Sequence, residues 1–133
     1  MNDWPEWPVA RVDDIDDPGA RGFLVGDGDW PFRGFVVRKD SELRAYANVC
    51  PHARHALDFP ADRFLAPHGE MLRCSSHGAL FDPLNGVCVL GPCVGRGLIP
   101  LTARLADDGE IRVRAPASLR ELAMEFPGSA DKG

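Results

Sequence analysis

The sequence predicts an all-β fold, an antiparallel sandwich or barrel, followed by a short C-terminal helix. Three observations carry this expectation. Apolar runs of strand length recur between Arg21 and Arg114. Residues 43–49 alternate apolar and polar with a period of two, the signature of a pleated strand. Clusters of Gly, Asp and Pro separate the runs, and these residues punctuate chains as turns.

Taken in order, residues 1–20 form an edge segment with Trp4, Trp7, Pro5, Pro8, Pro18 and the acids Asp13, Asp14, Asp16 and Asp17. An aromatic from it is expected to pack on the domain edge. The strand pattern begins at Arg21, with Gly22-Phe23-Leu24-Val25 and a turn over Gly26-Asp27-Gly28-Asp29. Phe35-Val36-Val37 follows and breaks at Lys39-Asp40-Ser41. Leu43, Ala45, Ala47 and Val49 then alternate with Arg44, Tyr46 and Asn48, predicting a half-buried strand that runs into Cys50. Pro60, Pro67 and Gly69 make residues 58–70 a loop. Met71-Leu72-Arg73 is a short strand delivering Cys74, Ala79-Leu80-Phe81 leads away from His77, and Asp82 to Gly86 is a turn.

Leu98 to Ala106 reads as a strand, Asp107-Asp108-Gly109 as a tight turn and Ile111 to Arg114 as the partner strand. Ser118 and Glu121 fit a capping box, with Leu119, Leu122 and Phe126 on one helix face. Pro127-Gly128 ends that helix, and residues 129–133 are a loose tail. The expected division is an edge segment at 1–20, the main domain at 21–116, and the helix with its tail at 117–133.

A chain of 133 residues is one domain with enough length to bury a core. Apolar and charged contents of 44% and 26% are those of a globular protein, and no run of eighteen apolar residues occurs. The first residues have neither a basic start nor an apolar stretch, so the expected location is the cytoplasm, where thiols stay reduced. The net charge is −5, and residues 1–40 hold nine acids against five bases. That balance argues against nucleic acid as a partner, which needs a basic face.

The chemistry concentrates between Cys50 and Pro92. Cys50-Pro51-His52 and Cys74-Ser75-Ser76-His77-Gly78 are two Cys-plus-His pairs, with twenty-one residues between His52 and Cys74. Thiolate and neutral imidazole are the best side-chain ligands for soft and borderline metals. A zinc finger usually sorts its cysteines onto one arm and its histidines onto the other. Here each arm carries one of each. That sorting suits a two-iron cluster, in which both arms reach both irons. A structural zinc module remains the rival by ligand count.

These two motifs resemble the cluster-binding loops of the Rieske [2Fe–2S] family. Gly91-Pro92, followed by Leu98, resembles the proline-containing loop that covers the cluster there. The resemblance implies a Rieske-type antiparallel fold with a smaller cluster-binding subdomain at about residues 50–97. It also implies one [2Fe–2S] cluster per chain, with Cys50 and Cys74 on the inner iron and His52 and His77 on the outer iron near the surface. His55 and His68 are expected to be surface loop residues, and Cys88 and Cys93 small buried thiols, bridged only if a turn brings them together.

The departures from the family are informative. High-potential members carry an extra cysteine in each loop, where this chain has His55 and Ser76, so that bridge cannot form. They also follow the second histidine with Gly-Ser-x-Tyr; here the run is Gly78-Ala79-Leu80-Phe81, without either hydroxyl. Fewer donors to sulfur stabilise the reduced cluster less.

A cluster alone moves one electron, and the sequence shows no second site: no glycine-rich dinucleotide loop and no separate two-His-one-carboxylate set. The chain resembles a free-standing Rieske-type ferredoxin that passes electrons from a reductase to a terminal oxygenase, with no catalysis of its own. The rival is a permanently bound small subunit, like that of assimilatory nitrite reductase. Permanent binding predicts a large apolar patch, and a shuttle predicts a small polar docking face around His52 and His77. Redox titration of the purified protein should place the midpoint around −150 mV, the low end of the Rieske range, and a value above about +100 mV would contradict the missing-hydroxyl reasoning.

Overall fold

The computed structural model describes residues 4–26, 31–49, 64–65, 71–74, 78–91, 94 and 96–116. They form nine strands: β1 (Glu6–Arg11), β2 (Gly19–Val25), β3 (Phe32–Lys39), β4 (Glu42–Ala47), β5 (Leu72–Arg73), β6 (Leu80–Phe81), β7 (Cys88–Leu90), β8 (Pro100–Leu105) and β9 (Glu110–Arg114). The one described helix is a 3₁₀ turn at Val12–Asp14, and the expected C-terminal helix lies outside the described residues. The strands make a six-stranded sheet in the order β1-β9-β8-β4-β3-β2 and a three-stranded sheet in the order β5-β6-β7. Every strand pairing is antiparallel. The large sheet curls until β1 and β2 come into contact, so it is nearly a closed barrel.

Two strands go beyond the sequence expectation. The edge segment contains β1, which pairs along β9. The Trp7 indole N–H donates to Ala115 O at 2.8 Å, and Trp4 is buried, so an aromatic does seal this edge. Pro8 hides the strand in the sequence because it has no N–H to donate. The register slips between Pro8 and Ala10, a bulge of the kind that edge strands tolerate. The second addition, β7, is three residues long and too short to read from periodicity.

The β3–β4 hairpin turns through Asp40 and Ser41, both at positive φ (54° and 65°), as a two-residue turn matched to strand twist requires. Neither residue is glycine. The Asp17 carboxylate offsets the strain by accepting both backbone N–H groups, at 2.9 and 2.8 Å. Arg38 secures the same corner by donating to Val12 O and Ile15 O.

The side chains of this hairpin face two separate cores. Phe32, Val36, Ala45 and Ala47 point into the barrel, where they meet Ile15, Val25, Ile111 and Val113. Phe35, Val37 and Tyr46 point the other way, into a second core with Phe64, Leu72, Cys74, Ala79, Phe81, Cys88 and Leu98. The expectation of a half-buried β4 is therefore corrected. Both its faces are covered, because the small sheet packs on the side that carries Tyr46. Phe35 stacks on Phe64 with ring centroids 4.4 Å apart, and Tyr46 tilts against Phe35 at 5.7 Å.

The Tyr46 hydroxyl donates to Pro83 O at 2.9 Å, and Arg44 Nε donates to Leu84 O at 3.0 Å. Together they pin the expected Asp82–Gly86 turn to β4. Within that turn Gly86 N donates to Asp82 O at 2.7 Å, and Asp82 Oδ1 accepts from Leu84 N. Gly86 has φ 76°, and an added Cβ would lie 2.7 Å from the Tyr46 ring, so the turn needs glycine for both angle and space.

Burial pushes the Tyr46 phenol up to about 12, with Asp82 adding to the rise and Arg44 opposing it. A raised phenol makes its contribution to stability below the unfolded value and loses it as pH climbs through the folded value. Tyr46 is the only tyrosine in the chain, so phenolate absorbance reports it alone. Alkaline titration of the folded protein should give a midpoint near 12, falling to about 10 in denaturant, with stability declining between those values. A folded midpoint near 10 would contradict the buried contact.

Candidate metal centre

Of the four expected ligands, Cys74 falls among the described residues. Cys50, His52 and His77 lie outside them, as do Ser75, Ser76, His55, His68 and Cys93. Cys74 is fully buried at the end of β5, where Leu72 is anchored in the second core. The preceding backbone is held from the side, with Arg73 N donating to Phe64 O at 2.7 Å and Leu65 bridged to Leu72.

The second ligand loop closes on its own backbone. Cys74 N donates to Ala79 O, and Gly78 N donates to Cys74 O, both at 2.9 Å. Gly78 closes it at φ 70°, with open space where a Cβ would stand, so the glycine serves the backbone angle alone. Both ends then run into paired strands, Leu72 opposite Phe81 and Arg73 opposite Leu80. Cys74 is thus positioned by main-chain bonds on both sides.

The third segment meets this loop directly. Gly91 has φ 110°, and an added Cβ would come within 2.9 Å of the Ala79 Cα. The residue before Pro92 therefore rests on the residue that ends the cysteine loop. Cys88 is buried in the same core, with its Sγ donating to Leu90 O at 3.4 Å. This agrees with its expected role as a small buried thiol.

The donor chemistry fits an iron–sulfur group. A sulfur donor sits in an apolar shell of Phe35, Phe64, Leu72, Ala79 and Phe81, which excludes water. Ala79 and Phe81, the positions without hydroxyls, are both fully buried. Sequence reasoning missed Tyr46 and Arg44 as the residues that hold the turn beyond this loop. The signal was present: an aromatic ring stands in the polar phase of β4, between Arg44 and Asn48.

The Rieske [2Fe–2S] domain model matches residues 6–113. This chain belongs to the Rieske [2Fe–2S] family. A Rieske domain holds one [2Fe–2S] cluster per chain, and the buried cysteine on its closed loop is consistent with that. Among solved structures, the ferredoxin of carbazole 1,9a-dioxygenase from Nocardioides aromaticivorans IC177 is 26% identical. Its TM-score is 0.64, with 84% of this chain and 97% of that chain covered. A chain in the complex of oxygenase and ferredoxin of carbazole 1,9a-dioxygenase shares the fold at TM-score 0.65 and 19% identity, over 85% of this chain and 95% of that one. The Mycobacterium tuberculosis protein assigned as an NADH-dependent nitrite reductase small subunit shares it at TM-score 0.61 and 22% identity, over 87% and 99%. Among curated proteins, none matches by sequence.

Gly91→Ala tests how closely the Rieske covering segment fits its loop. The added methyl collides with backbone at a left-handed angle, so cluster retention through purification should fall and thermal stability should drop by roughly 1–3 kcal/mol. Unchanged iron content and melting temperature would contradict the observed contact.

Proposed function

We propose that this Rieske protein is a one-electron carrier between a reductase and a terminal oxygenase or similar acceptor. The observation that carries the reading is the correspondence of this chain with nearly the whole of a ferredoxin, 97% of the Nocardioides chain. When bound, the cluster supplies a site that accepts and releases one electron. Cys50 and Cys74 are proposed to hold one iron through sulfur, and His52 and His77 the other through nitrogen. With two thiolates rather than four, the oxidised centre is neutral, so an electron is added more easily than to a four-cysteine centre.

The remaining residues set what kind of carrier this is. Phe35, Phe64 and Phe81 keep water from the Cys74 side of the site. Ala79 and Phe81 offer no hydroxyl to sulfur, which supports the reading of a low-potential carrier. Tyr46 and Arg44 hold the Asp82–Gly86 turn and, through it, the outgoing end of the cysteine loop.

The M. tuberculosis fold match favours a second reading, a tightly bound small subunit of a larger oxidoreductase. Gel filtration of native extract separates the two. A carrier elutes near its own 14.5 kDa, and a permanent subunit elutes with a large partner.

Metal analysis tests the centre itself. Purified protein should contain two irons and two sulfides per chain and show a rhombic paramagnetic signal when reduced. His52→Ala and His77→Ala should each abolish transfer while the strand scaffold persists by circular dichroism. A single zinc, or full transfer by both variants, overturns the assignment.

A further inference from the structure

The small sheet has one face in the second core and one face outside. Leu72, Phe81 and Cys88 form its inner row. Arg73, Leu80 and Leu90 form the outer row in the same register. Leu80 pairs with Leu90 and Phe81 with Cys88, so Val89 is an extra residue, a bulge. The bulge keeps Cys88 inside and turns two consecutive apolar side chains to solvent, Val89 at 46% and Leu90 at 59% exposure. Val87, which precedes β7, and Val94, whose N–H donates to Gly91 O, are exposed as well, at 41% and 62%. Exposed strands of this kind usually carry charge.

We propose that this outer face is the docking surface for the redox protein that exchanges electrons with the cluster, a protein presenting a shallow apolar site edged by carboxylates. The proposal rests on the electron-carrier reading above and adds the chemistry of its partner. Three observations support it. The face is continuous with the metal centre, since Arg73 immediately precedes Cys74 and Gly91, next to Leu90, rests on Ala79. A partner seated here lies beside the ends of the cysteine loop.

Size is the second observation. Four partly exposed aliphatic side chains present on the order of 300 Å², comparable to the largest apolar patch of a typical monomer, which is often functional. A standard stable interface takes roughly 800 Å² from each partner. The patch is smaller than the large apolar patch expected of a permanent subunit and suits the centre of a transient contact, although it makes that docking face partly apolar where a polar one was expected of a shuttle.

Charge is the third. Arg73 and Arg96 are both exposed, one in the outer row and one on the segment bonded to β7 through Cys88 N to Arg96 O at 2.8 Å. The whole chain carries −5, so a basic rim on an acidic molecule selects and orients a partner with carboxylates. By contrast, Leu24 and Leu105 are exposed on the large sheet, away from this face, and serve as controls.

The test uses purified holoprotein in anaerobic soluble extract of the native cells, followed through its visible absorbance. Oxidised protein is mixed with extract and NADH, and dithionite-reduced protein with extract alone; heated extract gives the background. Leu90→Asp should slow at least one direction tenfold or more, with visible spectrum, midpoint and dithionite reduction unchanged. Leu105→Asp should match the unmutated chain. Arg73→Glu should slow the same step and flatten its dependence on salt, and it decides the matter if Leu90→Asp fails to hold a cluster. Equal rates for the Leu90 and Arg73 variants and the unmutated chain overturn the docking surface alone. An unmutated protein that exchanges electrons in neither direction overturns the carrier reading on which the surface depends.

Discussion

The structure depends on the burial of one hairpin from both sides. β3 and β4 supply Phe32, Val36, Ala45 and Ala47 to the barrel and Phe35, Val37 and Tyr46 to the core beneath the metal centre. Fully burying an aliphatic or aromatic side chain contributes roughly 1.5–3 kcal/mol, so each face is held by several such terms. Neither core can shift without moving a strand that the other also grips. The two-stranded wall is thus a rigid shared floor between the barrel and the metal-binding subdomain.

Polar contacts refine what that floor positions. The Tyr46 hydroxyl and the Arg44 guanidinium both reach carbonyls of the Asp82–Gly86 turn. Losing either would strand a carbonyl at a partly dry interface, which costs about 1–3 kcal/mol. The turn is also tied to the return segment, since Leu98 N donates to Gly86 O at 2.9 Å. The cysteine loop is consequently framed by strands on both sides, and its own backbone bonds need only set the final angle. Such pre-organisation suits electron transfer, where a centre that moves little between oxidation states reorganises little.

Much of this was legible in the chain. The β3, β4, β8 and β9 regions follow apolar runs with clear turn residues, and Met71-Leu72-Arg73 does lead into Cys74 as a short strand. Other features were hidden for identifiable reasons. Pro8 breaks the pattern of β1, whose burial depends on pairing with β9 at the far end of the sheet-forming chain. Tyr46 occupies a position that local alternation marks as polar, and only the packing of the small sheet buries it. The bulge at Val89 depends on how β6 and β7 align, which no local pattern encodes.

What the sequence by itself determined is chemical. Two Cys/His pairs with their spacing nominate an iron–sulfur donor set, and Ala79 and Phe81 stand without hydroxyls, because donor type and hydrogen-bonding capacity belong to side chains before they fold. What only the tertiary structure decided is placement: the second face of β4, the seat of Gly91 on Ala79, and the apolar row turned outward beside the cysteine loop. Those depend on contacts between residues distant along the chain, whose energies arise only when the whole sheet has closed.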